Sequence, residues 1–402
     1  MKKFFFFAAA VVAMAACQKG AQPGAETNYF AAPAEQGAPE AVLFSSNVKA
    51  SVSAKAQGGV DEWNTNQNLK IYGYQRVEGG VDYATAKPLI DNVTAKSPAN
   101  AASNLLDVRN ESNKPYYYNA SDTYDFYGYY LDDLQLTPQA EGKTGMFVNL
   151  EITGGEDIMV AKADQPTDYN NAVANGTFTG VPQEWKTYYA YSAYAARRGV
   201  HPTLTFKHQL VRFRFQITSG SDIAPEMPLK VTKITMTARN TGKLYVAGNL
   251  VGTEGGLVPN NTTKELTLRS RNAEGQLVDF VAYNVPDKDD DALLANDDKF
   301  VGESLMVILN EAPALDKKDA FTVNITTLYD DNDHTLTRTL EFDPATMTNP
   351  VPNQTKFEAG YSYVVNVKVY SPERIDISAD LEEWKEGGII TDDTDDAPKE
   401  IL

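Results

Sequence analysis

Val211-Arg212-Phe213-Arg214-Phe215-Gln216-Ile217 sets an apolar side chain at every odd position and a polar one at every even position. A strand turns successive side chains to opposite faces, so this heptad buries one face and wets the other. The pattern recurs on both sides of it. Leu69-Lys70-Ile71-Tyr72-Gly73-Tyr74 alternates, and Tyr361, Tyr363, Val365, Val367 and Val369 alternate with Ser362, Asn366 and Lys368. Phe321 to Tyr329 and His334 to Phe342 flank Asp330-Asp331-Asn332-Asp333, which predicts a hairpin joined by those four residues. Only Asn100 to Val108 and Asp291 to Leu294 favour helix, and both are short. Recurring short strands with turn residues between them predict an all-β chain of antiparallel sandwiches.

The 402 residues carry 54 acidic and 36 basic side chains, a net charge of -18. That balance repels polyanions and anionic lipid surfaces, so nucleic acid is excluded as a partner. A hydrophobic content of 42% supports packed cores. The length suggests two domains, and Arg197-Arg198-Gly199-Val200-His201-Pro202 supplies a polar, Pro/Gly-marked break between them. The expected division is 41–200 and 201–388, followed by an acidic tail at 389–402.

Lys2 and Lys3 precede an apolar run from Phe4 to Ala16, and Met14-Ala15-Ala16 set small residues directly before Cys17. The 13-residue run falls short of the ~20 residues a membrane-spanning helix needs, so residues 1–16 read as an export signal. The junction resembles a bacterial lipobox, with cleavage between Ala16 and Cys17 and lipid on the Cys17 thiol. Residues 17–40, rich in Ala, Gly, Pro and Gln, read as a flexible tether. Cys17 is the single cysteine, so no intramolecular disulfide can form. Losing Lys2 and Lys3 with the signal would take the net charge from -18 to -20.

Little of the remaining chemistry points to catalysis. Asp287, Asp289, Asp290 and Asp291, then Asp330, Asp331 and Asp333, then Asp392, Asp393, Asp395 and Asp396 form acidic clusters. None has the spacing of a calcium loop with a central Gly and a terminal Glu, and solvated turns are the expectation. Paired carboxylates run glycoside hydrolysis, but the sequence singles out no pair. Of three histidines, His208 lies in phase with Leu204 and Phe206 and is expected in the core. His201 and His334 fall at a break and a hairpin. Tyr116, Tyr117 and Tyr118 with Tyr124, Phe126, Tyr127, Tyr129 and Tyr130 form an aromatic block, which fills sheet faces more often than it stacks on sugars. Trp63 and Trp384 lie near the two ends of the body. The chain reads as no enzyme, with no metal and no cofactor.

Cys17, the tether, Leu69 to Tyr74, Tyr124-Asp-Phe-Tyr-Gly-Tyr-Tyr130, Leu204 to Ile217, Phe357-Glu-Ala-Gly360-Tyr-Ser-Tyr363 through Tyr370, Ile375 to Ala379 and Trp384-Lys-Glu-Gly387, in this order, resemble the fimbrillin-like proteins of Bacteroidales. The resemblance implies two tandem transthyretin-like β-sandwich domains in a lipidated precursor of a type V pilus subunit. It implies an outer-membrane, surface-exposed location through the lipid on Cys17, and assembly into fimbriae that support adhesion to host or bacterial ligands. In that family a protease removes the lipidated segment with a first strand, and a strand from a neighbouring subunit fills the groove. Val42-Leu43-Phe44 and Val48 to Val52 are the matching candidates for the removed strand, and the residues after Trp384, with Ile389 and Ile390, for the donor. The family's stalk subunits are cut after an Arg, whereas the first Arg here is Arg76; Lys49 and Lys55 are the nearby basic sites and the candidates for a maturation cut, so either a protease of different specificity acts or the protein is not matured as a polymerising stalk, and an anchor or tip role stays open. A rival reading is a glycan-binding surface lipoprotein of a polysaccharide-uptake system.

Overall fold

The computed structural model describes residues 38–46, 69–96, 105–163, 191–197, 201–220, 228–251, 256–272, 277–286, 300–310, 319–345, 347 and 354–382. Strands dominate it. A five-stranded sheet runs β10 (Lys207–His208), β8 (Met159–Lys162), β5 (Tyr124–Tyr130), β2 (Leu69–Gln75), β3 (Ile90–Ala95). Its central strand β5 is apolar on both faces because both faces are covered. Tyr124, Phe126 and Tyr130 enter one core with Ile71, Phe44, Leu204 and Phe206, while Tyr127 and Tyr129 enter another with Tyr72, Tyr74, Phe147 and Leu244. Gly128 is required where it stands. A Cβ there would lie 2.7 Å from the Phe206 ring, which approaches the strand closely at this point.

The first of those cores is closed by a small sheet of β4 (Leu105–Leu106), β1 (Phe44–Ser46) and β9 (Thr203–Leu204), and by the short helix α1 (Ala193–Ala196). The second is closed by β14 (Leu257–Pro259), β13 (Thr241–Gly248), β7 (Gly145–Glu151) and β6 (Gln139–Glu141). In that sheet β7 and β13, from either side of residue 200, pair along Thr241 opposite Glu151 to Gly248 opposite Gly145.

The third core lies between two further sheets. One is β19 (Phe300–Val307), β11 (Val211–Ser219), β22 (Ser362–Ser371), β23 (Arg374–Glu382); the other is β15 (Thr263–Thr267), β12 (Lys230–Arg239), β20 (Ala320–Tyr329), β21 (Asn332–Glu341), with β18 (Tyr283–Asn284) beside β12. A two-stranded ribbon of β16 (Ser270–Arg271) and β17 (Leu277–Val278) completes the set. The odd positions of β11 are the core face, as their alternation predicts: Phe213 packs edge-on against Phe321 and Phe357, each with ring centroids 5.3 Å away. Among the described residues the sheets are antiparallel apart from two pairings, β11 with β22 and β1 with β9, which run parallel.

Two local expectations need correcting. In the stretch Asn100 to Val108, Leu105 and Leu106 are strand, because they pair with Ser45 and Phe44 rather than turning onto themselves; residues 97–104 lie outside the described set, as do 287–299. The hairpin turn is tighter than four residues. Asp330 and Asp331 alone form it, at φ of 49° and 60°, while Asn332 and Asp333 already pair with Tyr329 and Leu328. Two left-handed residues match the twist of the flanking strands, and Asp tolerates that region better than most side chains. Replacing Asp330-Asp331 by Asn-Gly is expected to raise stability by about 0.5–1 kcal/mol in urea unfolding; a loss would show that the aspartates serve a purpose beyond the turn.

Candidate functional site

Where the chain enters the body, residues 38–46 lie across the first core. Val42 donates its N–H to the Tyr116 carbonyl at 2.8 Å, and Tyr118 donates to the Glu40 carbonyl at 3.0 Å. Phe44 and Ser45 then pair antiparallel with Leu106 and Leu105, while Ser45 and Ser46 pair parallel with Thr203 and Leu204. β1 is therefore an interior strand supplied by the start of the body. Its withdrawal would leave β4 and β9 with open edges.

Side-chain placement follows the pleat. Val42 and Phe44 point inward at 4% and 2% exposure, and Leu43 between them is 50% exposed. The Phe44 ring stands edge-on to Phe126 at 5.1 Å, in the core that holds Leu106, Tyr118, Leu204 and Phe206. Burial pushes the Tyr118 phenol well above its ordinary pKa, so it stays neutral in this core.

A polar clamp fastens the segment from outside. Arg197, at the C-terminal end of α1, donates from Nη2 to the Ala38 carbonyl at 2.5 Å, and its Nε lies 3.4 Å from the Glu40 carboxylate. Ser192 caps α1 by accepting the Ala195 N–H at 3.2 Å, which fixes the helix that carries the arginine. His201 sits half-buried just before β9; burial lowers its pKa, and the charge of Glu40 partly offsets this. Sequence reasoning missed Arg197 and α1. The Ser192-Ala-Tyr-Ala-Ala196 run was the available signal.

Of the expected site residues, Val42, Leu43 and Phe44 lie in this strand region, whereas Ala16, Cys17, Lys49, Lys55, Val48 to Val52, Trp63, Trp384, Ile389 and Ile390 lie outside the described residues. The other expected features are not gathered here. His208 is buried on β10 with its Nδ1 2.8 Å from the Asp157 carboxylate. His334 pairs with Thr327 in the hairpin, Asp330 and Asp331 form its turn, and no group of three or more metal-ligating side chains occurs among the described residues. The aromatic block is packed into sheet faces, with Tyr117 the exposed exception at 43%. The clusters at Asp287 and at Asp392 lie outside the described residues.

A family model described as fimbrillin-like matches residues 54–384. No curated protein matches this sequence. Among solved structures, the chain is similar to a candidate cell adhesion protein from Bacteroides uniformis at 13% identity, covering 86% of this chain and 99% of that one with a TM-score of 0.46. It is also similar to a candidate cell adhesion protein from Bacteroides ovatus at 15% identity, 86% and 98% coverage and a TM-score of 0.40. The fimbrial anchor protein Mfa2 from Porphyromonas gingivalis follows at 9% identity, 86% and 98% coverage and a TM-score of 0.33. With a family match running from residue 54 to residue 384, this chain belongs to the fimbrillin-like family.

Proposed function

We propose that the protein is a non-enzymatic structural subunit of cell-surface fimbriae that supports adhesion. It is exported as a lipoprotein precursor, cleaved between Ala16 and Cys17, lipidated on Cys17 and held at the outer membrane surface. Two or more acyl chains anchor stably where one is marginal. A later cut at Lys49 or Lys55 frees β1 from the body, and a strand from another subunit takes its place. The observation that carries this reading is the interior position of β1 between β4 and β9. An interior strand at the entry to the body can leave without breaking the chain that follows, and the vacated edges and pockets then demand a replacement. The division into 41–200 and 201–388 belongs to the same proposal.

N-terminal sequencing of material sheared from the cell surface tests it. Filaments whose subunits begin just beyond Lys49 or Lys55 are the expected result. Subunits that keep Cys17, or sheared filaments without this protein, would overturn the assembly reading. Palmitate labelling of whole cells is expected to mark the precursor and to vanish in Cys17→Ser; labelling that persists in that variant removes the lipid anchor from the proposal.

A further inference from the structure

β21 and β23 end the two sheets that enclose the third core, and among the described residues neither has a further strand beside it. An open strand edge is a template for another chain. On β21 the outward groups can be counted off. Tyr329 and Asn332 close the two-residue turn as a hydrogen-bonded pair, and every second pair along the hairpin repeats that bonding. Asp333, Thr335, Thr337, Thr339 and Glu341 therefore turn their N–H and C=O groups away from β20. On β23, Ile375 stands opposite Val369, whose carbonyl accepts the Gly220 N–H on the β11 side, so the Ile375 carbonyl also points outward.

One side chain reaches both edges. Arg338 donates from Nε to the Ile375 carbonyl at 2.6 Å and from Nη1 to the Thr337 carbonyl at 3.0 Å. It does so from a position that faces the core, between Leu336 and Leu340 and opposite the fully buried Val323. Alternation there calls for another apolar residue, and an arginine gives up core area and part of its hydration instead. Tying the sheets together does not require it, since Thr327 already donates its hydroxyl to the Pro372 carbonyl at 3.3 Å.

What the arginine alone supplies is charge. It is the only charged residue from Thr335 to Leu340, a run that otherwise alternates threonine and leucine. Uncharged alternating β-formers on an open edge are the pattern that pairs with copies of itself. Leu336 on β21, with Ile377 and Leu381 on β23, is only partly buried, so a chain laid along this side would cover apolar surface as well as satisfy the backbone.

We infer that Arg338 guards this open side: it keeps β21 from pairing with β21 of a second copy, and so confines association of the chain to other surfaces. A copy approaching the edge has to strip the guanidinium from two carbonyls and bury it. Pairing of two identical edges is two-fold, so each copy also brings its own arginine to the seam. The inference holds whichever strand is exchanged in assembly, and its test needs no cleavage.

Sedimentation of the uncut, reduced chain over a range of concentrations provides the test, with the wild type as baseline. Arg338→Leu is expected to keep the far-ultraviolet circular dichroism of the wild type and to self-associate at least about tenfold more strongly. Arg338→Gln, which stays polar and loses the charge, is expected to associate too, and serves if the leucine variant does not fold. Arg338→Lys keeps the charge and is expected to match the wild type. Adding Thr337→Pro to Arg338→Leu removes an outward N–H from β21 while sparing its ladder to β20, and is expected to restore the wild-type state. Leucine and glutamine variants that associate no more than the wild type overturn the inference and leave Arg338 as a tie between sheets. So does association that Thr337→Pro leaves intact, or a lysine variant that associates as strongly as the leucine one.

Discussion

Phe44→Ala is expected to cost about 3–5 kcal/mol of stability in urea unfolding. Phe44 is 2% exposed, and removing its ring takes from Phe126 one of its two edge-on partners, the other being Tyr118, and opens a cavity in the core that holds Leu106, Leu204 and Phe206. The site has little room to collapse. β1 is held by pairing on both flanks, and the Arg197 clamp on Ala38 and Glu40 fixes the chain just ahead of it. Leu43→Ala is the matched control: the same strand, one residue away, half exposed, with an expected change within about 0.5 kcal/mol. A strand that can leave as a unit should also open locally in Phe44→Ala before the rest of the protein unfolds. Hydrogen exchange would then quicken at the amides of Val42 and Tyr118 and stay slow in β5. Equal losses for Leu43→Ala and Phe44→Ala would mean that the pleat assigns the faces differently from the burial seen here.

Much of this fold is legible in the sequence because alternation is a local signal. β11, β22 and the β20–β21 pair have one core face and one wetter face, so Val211 to Ile217, Tyr363 to Val369 and Phe321 to Tyr329 announce themselves. Strands β4, β9 and β10 span two residues each and carry no period at all; they are strands because a partner lies beside them. The parallel pairing of β11 with β22 joins residues about 150 apart, and nothing in either strand encodes its direction. The site divides the same way. Val42-Leu43-Phe44 is readable as a short amphipathic strand, but its interior place depends on Leu105 and Thr203, and its clamp on an arginine far along the chain. The turn at Asp330 and Asp331 is shorter than its sequence suggests because Asn332 and Asp333 are turn-formers that the sheet extends through.

His208→Ala and Asp157→Ala are each expected to cost about 3–5 kcal/mol, because each removes an ion-pair partner from a group that water does not reach. The two side chains are 0% and 3% exposed and lie 2.8 Å apart. Asp157 accepts through a carboxylate oxygen, so His208 donates from Nδ1. The pair is part of a longer polar run: the Asp157 N–H donates to the Asp132 carboxylate, which also accepts the Tyr130 hydroxyl at 3.0 Å. Burial, followed by the charge of Asp132, raises the Tyr130 pKa, so the phenol remains protonated and keeps donating. The run ties β5 and the residues just after it to β10, beside the core that β1 covers. Buried so completely, this imidazole offers no face to a substrate, and its worth is structural. A double-mutant cycle makes the distinction measurable: the paired loss should fall short of the sum of the single losses by about 1–3 kcal/mol. Additive single losses below about 1 kcal/mol each would show that the pair is dispensable to the fold.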